Sequence, residues 1–182
     1  MALDAVPTSA TNNAYCDVAW ADTYHAGRLS NDNYRCATTA DKESAIIWAT
    51  RLLDGLKWIG IRTVATQQLS WPRQGILYED RLNVGFSSPY YLSSVFSSVF
   101  LDPTVNPKYI KDATAELAFW LLGGDTTAPA GTEGFSKIKI DTIELTVTPY
   151  DRQKWLNDAV MGMIYRFLQN NSNGLSVHKV ST

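Results

Sequence analysis

From Thr39 to Leu56 the chain repeats apolar residues at the spacing of one helix face: Ala45, Ala49, Leu52 and Leu56, with Ile46 and Leu53 widening the stripe. A helix patterned this way must pack that stripe against something, which commits the fold to helices layered over a shared core. Thr39 or Asp41 is positioned to cap it, Glu43, Arg51 and Asp54 fall on its far face, and Gly55 and Gly60 fray its end. A second long helix opens at Asn106-Pro107, a capping asparagine and a first-turn proline, and closes at Gly123-Gly124. Ile110, Thr114, Leu117 and Leu121 form its inner face.

Two further helices complete the pattern. One runs from Asp17, whose carboxylate caps it, to about Ala26 before Gly27, with Val18, Ala21 and His25 on one side. The last spans about Asp151 to Gln169, with Leu156, Val160, Met163 and Phe167 inward and Asp158, Gly162, Tyr165 and Gln169 opposite. Residues 30 to 39 read as a loop anchored by Tyr34 and Cys36, and residues 58 to 70 as irregular or extended. The alternation in Lys137-Ile138-Lys139-Ile140, then Ile143, Leu145 and Val147, slips at Asp141-Thr142, which predicts a bulge or a hairpin of two short strands.

The expected fold class is therefore mainly α: a single domain of about four principal helices with a small β-hairpin or strand element and a long aromatic-rich insertion. Residues 1–14 read as a flexible arm, 15–169 as the helical domain with the insertion at 76–105, and 170–182 as a flexible tail.

Charge narrows the functional classes. Sixteen basic and eighteen acidic residues leave a net charge of -2, so no general attraction to nucleic acid or an anionic membrane is expected, although a local basic patch is possible. No basic region followed by an apolar run opens the chain and no stretch is apolar enough to span a bilayer, which predicts a soluble protein with no membrane partner. Cys16 and Cys36 match no metal-binding spacing and read as reduced core residues, and His25 and His178 are far apart; no metal or cofactor is expected.

The segment Trp71-Pro72-Arg73-Gln74-Gly75 combines a fixed backbone, a permissive glycine, a large ring and a guanidinium. It is either a docking element or a buried tryptophan anchoring a turn to the core. Behind it, residues 82 to 101 carry no charge and include Phe86, Tyr90, Tyr91, Phe96 and Phe100. A short helix capped by Ser88, or a strand, fits this stretch.

Phe119 falls on the side of its helix where Asp112 and Glu116 imply solvent, so a neighbouring segment or another subunit must cover it. Glycine in mid-helix costs about 1 kcal/mol relative to alanine, so Gly162, beside Tyr165, points to a close neighbour on that face. These aromatics and Gly162 are the interface candidates. In the tail, Leu175, Val177, His178 and Val180 could add a strand to a partner's sheet edge, or simply fray.

No phosphate loop, nucleophile elbow, metalloprotease helix or calcium loop is present. Asp22 and His25, three residues apart, have no third ligand or base, so no active site is assigned and the chain is not expected to be an enzyme. Trp58, Arg62, Trp71 and Arg73 interleave rings with guanidiniums, the elements of a single-strand stacking platform, with Arg51, Lys57 and Arg81 as the remaining cations to build a groove.

Four segments together resemble a known family: Tyr15 to Tyr24, Glu43 to Asp54, Gln68 to Gly75, with Trp71, Pro72, Arg73 and Gly75 as the recurring motif, and Pro107 to Ala118. The set is similar to the head-to-tail adaptors of tailed-phage necks, a family often labelled DnaT-like single-stranded DNA-binding protein. The resemblance covers about Tyr15 to Leu122. It implies a helical subunit made in the host bacterial cytoplasm and built into the virion neck. There it would form a ring, commonly dodecameric, joining the portal to a downstream neck or tail protein. Genomic double-stranded DNA would pass through without sequence recognition. It also implies that a terminal segment docks on the portal, which makes Leu175, Val177, His178 and Val180 the portal-docking candidates. The stretch from 82 to 101 departs from the family pattern. A single-stranded DNA-binding accessory protein using Trp and Arg stacking is the alternative.

Overall fold

The structure is a computed structural model and describes residues 2–7, 9–77, 100–124, 137–140, 143–146 and 156–169. It is mainly helical: α1 (Val18–Ala26), a one-turn α2 (Asp32–Arg35), α3 (Thr39–Asp54), α4 (Lys108–Gly123) and α5 (Asp158–Ile164), the last running into a 3-10 turn at Tyr165–Phe167. Two small antiparallel sheets join them. Strands β1 (Ile61–Arg62) and β2 (Arg73–Gln74) form one, and β3 (Lys137–Ile140) and β4 (Ile143–Thr146) the other.

Helix α4 is the axis. Every residue from Asp112 to Phe119 is buried, because α1, α2, α3 and α5 all pack against it. A helix enclosed on so many sides cannot show the one-sided stripe that its inner face predicts. Its expected cap also differs. Asn106 is buried and donates its amide to the Tyr15 carbonyl at 3.1 Å, so Pro107 takes the N-cap position with no side-chain bond.

Local signals placed α1 well. The Asp17 carboxylate accepts from the Trp20 amide at 2.7 Å, Gly27 is the C-cap, and Ala21 and His25 are buried one turn apart. Helix α3 is capped by Thr38 instead of Thr39 or Asp41: its hydroxyl accepts from the Asp41 amide at 3.2 Å and donates to the Asp41 carboxylate at 2.7 Å. Its buried face is Ala45, Ile46, Ile47, Ala49, Thr50 and Leu53, with Leu52 and Leu56 half-buried.

The loop from 30 to 39 contains α2. Tyr34 is buried as expected, but Cys36 is exposed, because it ends a single turn whose inward position Tyr34 already occupies. Strand β3 pairs with β4 from Lys137↔Thr146 to Ile140↔Ile143, the hairpin form of the register slip. Helix α5 is shorter than the pattern predicts. Asn157 is extended and accepts from the Val160 amide at 2.9 Å, so the helix starts after it, and residues 151–155 lie outside the described residues.

The N-terminal residues are held where a loose arm is expected. Asp4 pairs with Asn13 through both backbone and side chain, and its carboxylate accepts hydroxyls from Ser9 and Thr11. That turn lays Leu3 and Ala5 on the core and leads into fully buried Ala14 and Tyr15. Phe86, Tyr90, Tyr91, Phe96, Leu175, Val177, His178 and Val180 lie outside the described residues. No helix among the described residues is long and apolar enough to cross a membrane.

Candidate nucleic-acid and assembly surfaces

The Trp-Pro-Arg segment is an internal clasp. Trp71 is fully buried, with its ring edge-on to Trp58 at 5.6 Å and to Phe167 at 5.7 Å, and Pro72 is buried beside it. Arg73 spends its guanidinium on backbone oxygens: Nε on Ile59 at 2.7 Å, Nη1 on Ser70 at 3.2 Å, and Nη2 on Gly60 at 2.6 Å and Trp58 at 3.4 Å. These bonds gather the 58–60 turn against β2. Gly60 (φ 74) and Gly75 (φ 79) take the left-handed turns on either side of that pairing.

This corrects both the docking reading of Trp71 and the stacking platform. Trp58, Trp71 and Arg73 serve the core, and of the four residues only Arg62 is exposed. The physical reason is that a ring and a forked donor satisfy buried carbonyls as readily as they bind a ligand. Asp54, expected on a solvent face, holds the same clasp to α3 by accepting from the Tyr15 hydroxyl and the Ser70 amide, each at 2.5 Å. Burial, reinforced by Asp54, pushes the Tyr15 phenol well above its ordinary pKa.

A second constellation lies along the seam where α1 and α4 run side by side in the same direction. Asp112 accepts from the Trp20 indole at 3.1 Å and from Lys108, while Lys111 sits 4.5 Å over the Trp20 ring. One turn later Glu116 accepts from the Tyr24 hydroxyl at 3.2 Å, from the Trp120 indole at 3.0 Å and from Arg28. Burial and then Glu116 push the Tyr24 phenol up to about 12. The guanidinium of Arg28 also lies 3.9 Å above the Phe119 ring.

Phe119 is therefore covered within the chain, by Arg28 and by His25 at 5.7 Å, and is not an open interface residue. Residues 20, 24 and 28, and 108, 112, 116 and 120, each recur at i+4; that is the signal that could have revealed the seam.

Asp22 and His25 do not work together. Asp22 pairs with Lys42 at 2.9 Å, whereas His25 is buried with Nε2 donating to the Ala115 carbonyl at 3.0 Å. Burial is the main reason its pKa is lowered.

Gly162 is exposed with nothing within 4 Å of where a Cβ would stand, so no segment of the described chain makes the close approach expected there; Tyr165 beside it is also exposed. Phe100 is half-buried and bridges Leu77. Between α2, α3 and the end of α4 an open groove of about 700 Å³ is lined by residues including Cys36, Asp41, Trp48, Leu121 and Leu122. No group of three or more histidine, cysteine or acidic side chains among the described residues could hold a metal ion.

Residues 1–87 match the family described as "Putative DnaT-like ssDNA binding protein". That stretch is 87 of the chain's 182 residues and carries α1, α2, α3, β1 and β2, but not α4. No curated protein and no solved structure matches the chain.

Proposed function

We propose that the protein acts by binding DNA rather than by catalysis, with single-stranded DNA as its ligand. The family match over residues 1–87 carries this reading. The chemistry of the surface is compatible with it: half-buried Trp20 and Tyr24 and exposed Trp120 offer rings beside Lys108, Lys111 and Arg28, the pairing of stacking and charge that single strands require. His25 and Asp22, the only acid-base pair the sequence offered, are tied to a backbone carbonyl and to a lysine. Titrating a labelled oligonucleotide with the protein by fluorescence anisotropy should give saturable binding that weakens with salt. Absence of binding even at low salt would end this reading.

The second reading is structural: a subunit of a phage neck ring, possessing portal and tail-side partners and a channel for duplex DNA. It is motivated by the resemblance of the segments between Tyr15 and Ala118 to neck adaptors, and by large apolar side chains left in solvent. Leu29 is 91% exposed, Ile61 67% and Tyr165 59%. In a closed ring each subunit presents two different surfaces to its neighbours, which could cover such residues. Imaging labelled virions should place the chain at the portal-tail junction; its absence there would overturn the neck assignment.

A further inference from the structure

We infer that single-stranded nucleic acid binds on the α1–α4 seam, along Trp20, Arg28, Lys108, Lys111 and Trp120, and not on the Trp58/Trp71 cluster. This placement rests on the single-stranded DNA reading above and names its site. The argument starts from the vertical order of charge. Asp112 and Glu116 are buried, at 7% and 4% exposure, while the Lys108 side chain that pairs with Asp112 is 70% exposed. The acids lie beneath, the Lys108 ammonium stands above them in solvent, and Arg28 and Lys111 are half-buried between.

Two consequences follow. The carboxylates fix the two indoles and two of the cations by hydrogen bonds from below, so the rings are oriented before any ligand arrives. A phosphate approaching from solvent meets the Lys108 ammonium first, while the Arg28 guanidinium, stacked on Phe119 and paired with Glu116, is partly covered. Three cations stand here against the two buried carboxylates and the exposed Asp17, whose carboxylate accepts from the Trp20 amide, so the patch is balanced in charge where the chain as a whole is net -2.

The seam has the length for an extended strand. From Lys108 to Trp120 is twelve residues, about 18 Å along the helix at its usual rise. Trp120, 37% exposed, stands at one end and Trp20, capped by Lys111, toward the other. A ring with a cation beside it at each end suits a flexible strand whose bases can turn toward the protein; a stiff duplex keeps its bases stacked internally and would engage the cations alone. With only three cations, the logarithm of affinity should fall against the logarithm of salt with a slope no steeper than about -2.

The test uses the full chain and a fluorescein-labelled twenty-nucleotide oligothymidylate, with anisotropy read at several salt concentrations. Lys111→Ser together with Lys108→Ser, and separately Trp120→Leu, are compared with Lys57→Ser, a cation off the seam; circular dichroism verifies that each variant folds. The expected result is about tenfold weaker binding in both seam variants, a shallower salt slope in the lysine variant alone, and no change for Lys57→Ser. If the wild type binds and the seam variants bind equally well, the placement is overturned while single-stranded binding stands. If a duplex of the same length binds as tightly as the single strand, the stacking argument is overturned. If the wild type binds nothing at low salt, the placement falls together with the reading it rests on.

Discussion

Arg73 and Gly60 meet through a 2.6 Å hydrogen bond from the guanidinium to the backbone carbonyl, one of four such bonds that Arg73 makes to the chain around it. The planar fork reaches carbonyls of residues 58, 59, 60 and 70 at once, which a point-charge ammonium cannot do. Replacing Arg73 with Lys should therefore lower unfolding free energy by about 2 kcal/mol, from the loss of charge-assisted bonds to carbonyls that are left wanting. Urea unfolding monitored by tryptophan fluorescence would check it, since Trp58 and Trp71 sit inside the clasp. A change below about 0.5 kcal/mol, the size typical of a neutral surface substitution, would show that the clasp contributes little.

The clasp also shows where the sequence could and could not be read. The ends of α1 were legible because Asp17 and Trp20 are three residues apart and Gly27 follows directly. The hairpin was legible because Ile140 and Ile143 pair across two residues. What escaped was set by partners far away in the chain. Asp112 and Glu116 read as markers of solvent because their donors, Trp20 and Tyr24, come 92 residues earlier. Asn106 read as a cap because the Tyr15 carbonyl it satisfies lies 91 residues back. Trp71 and Arg73 have the same composition in a binding platform and in a core clasp, and only burial separates the two.

His25 gives the fold an acid-sensitive point. Its ring is packed among Tyr24, Tyr34 and Phe119, and its Nδ1 has no hydrogen-bond partner among the described residues. Burial is the largest influence and lowers its pKa; the Ala115 carbonyl and then Glu116 oppose it, Arg28 adds a smaller push downward, and Asp22 a smaller one upward. The native state therefore binds fewer protons here than the unfolded chain. The stability this contributes is complete above about pH 6.5, the unfolded value, erodes as pH drops below it and is gone below the folded pKa. The urea midpoint should fall between pH 7 and pH 5, and His25→Gln should flatten the slope in that window. An unchanged slope in the variant would mean that other groups set the acid limit.

The two cysteines should separate kinetically. Cys36 is exposed, whereas Cys16 is buried and its thiol is pushed up to about 12, mainly by burial and then by Asp17. Since the thiolate is the reactive form, a disulfide reagent at pH 8 should modify one thiol quickly in the native protein and the second only on unfolding. Two equally fast thiols would contradict the burial of Cys16.

Two glycines should respond in opposite ways to alanine. At Gly60 the backbone is left-handed and an added Cβ would stand 2.6 Å from the Gln74 carbonyl oxygen, so Gly60→Ala should destabilise by more than about 2 kcal/mol. At Gly162 the helix is open, and Gly162→Ala should stabilise by about 0.5–1 kcal/mol in the isolated protein. Chemical denaturation of both variants tests the pair. A destabilised Gly162→Ala monomer would contradict the open surroundings of that position.

The central place of α4 has a consequence for the order in which the chain can consolidate during synthesis. Helices α1, α2 and α3 all rest on α4, yet α4 begins at Lys108, after the family-matched stretch has ended at residue 87. The nascent first half has no floor to settle on until residue 123 clears the ribosome, and α5 must follow to close the last side. The domain should therefore gain its protection late and in one step, as folds built on contacts between distant parts of the chain do. The sequence boundary at 87 marks a unit of similarity, and the smallest piece that can hold itself together extends well past it.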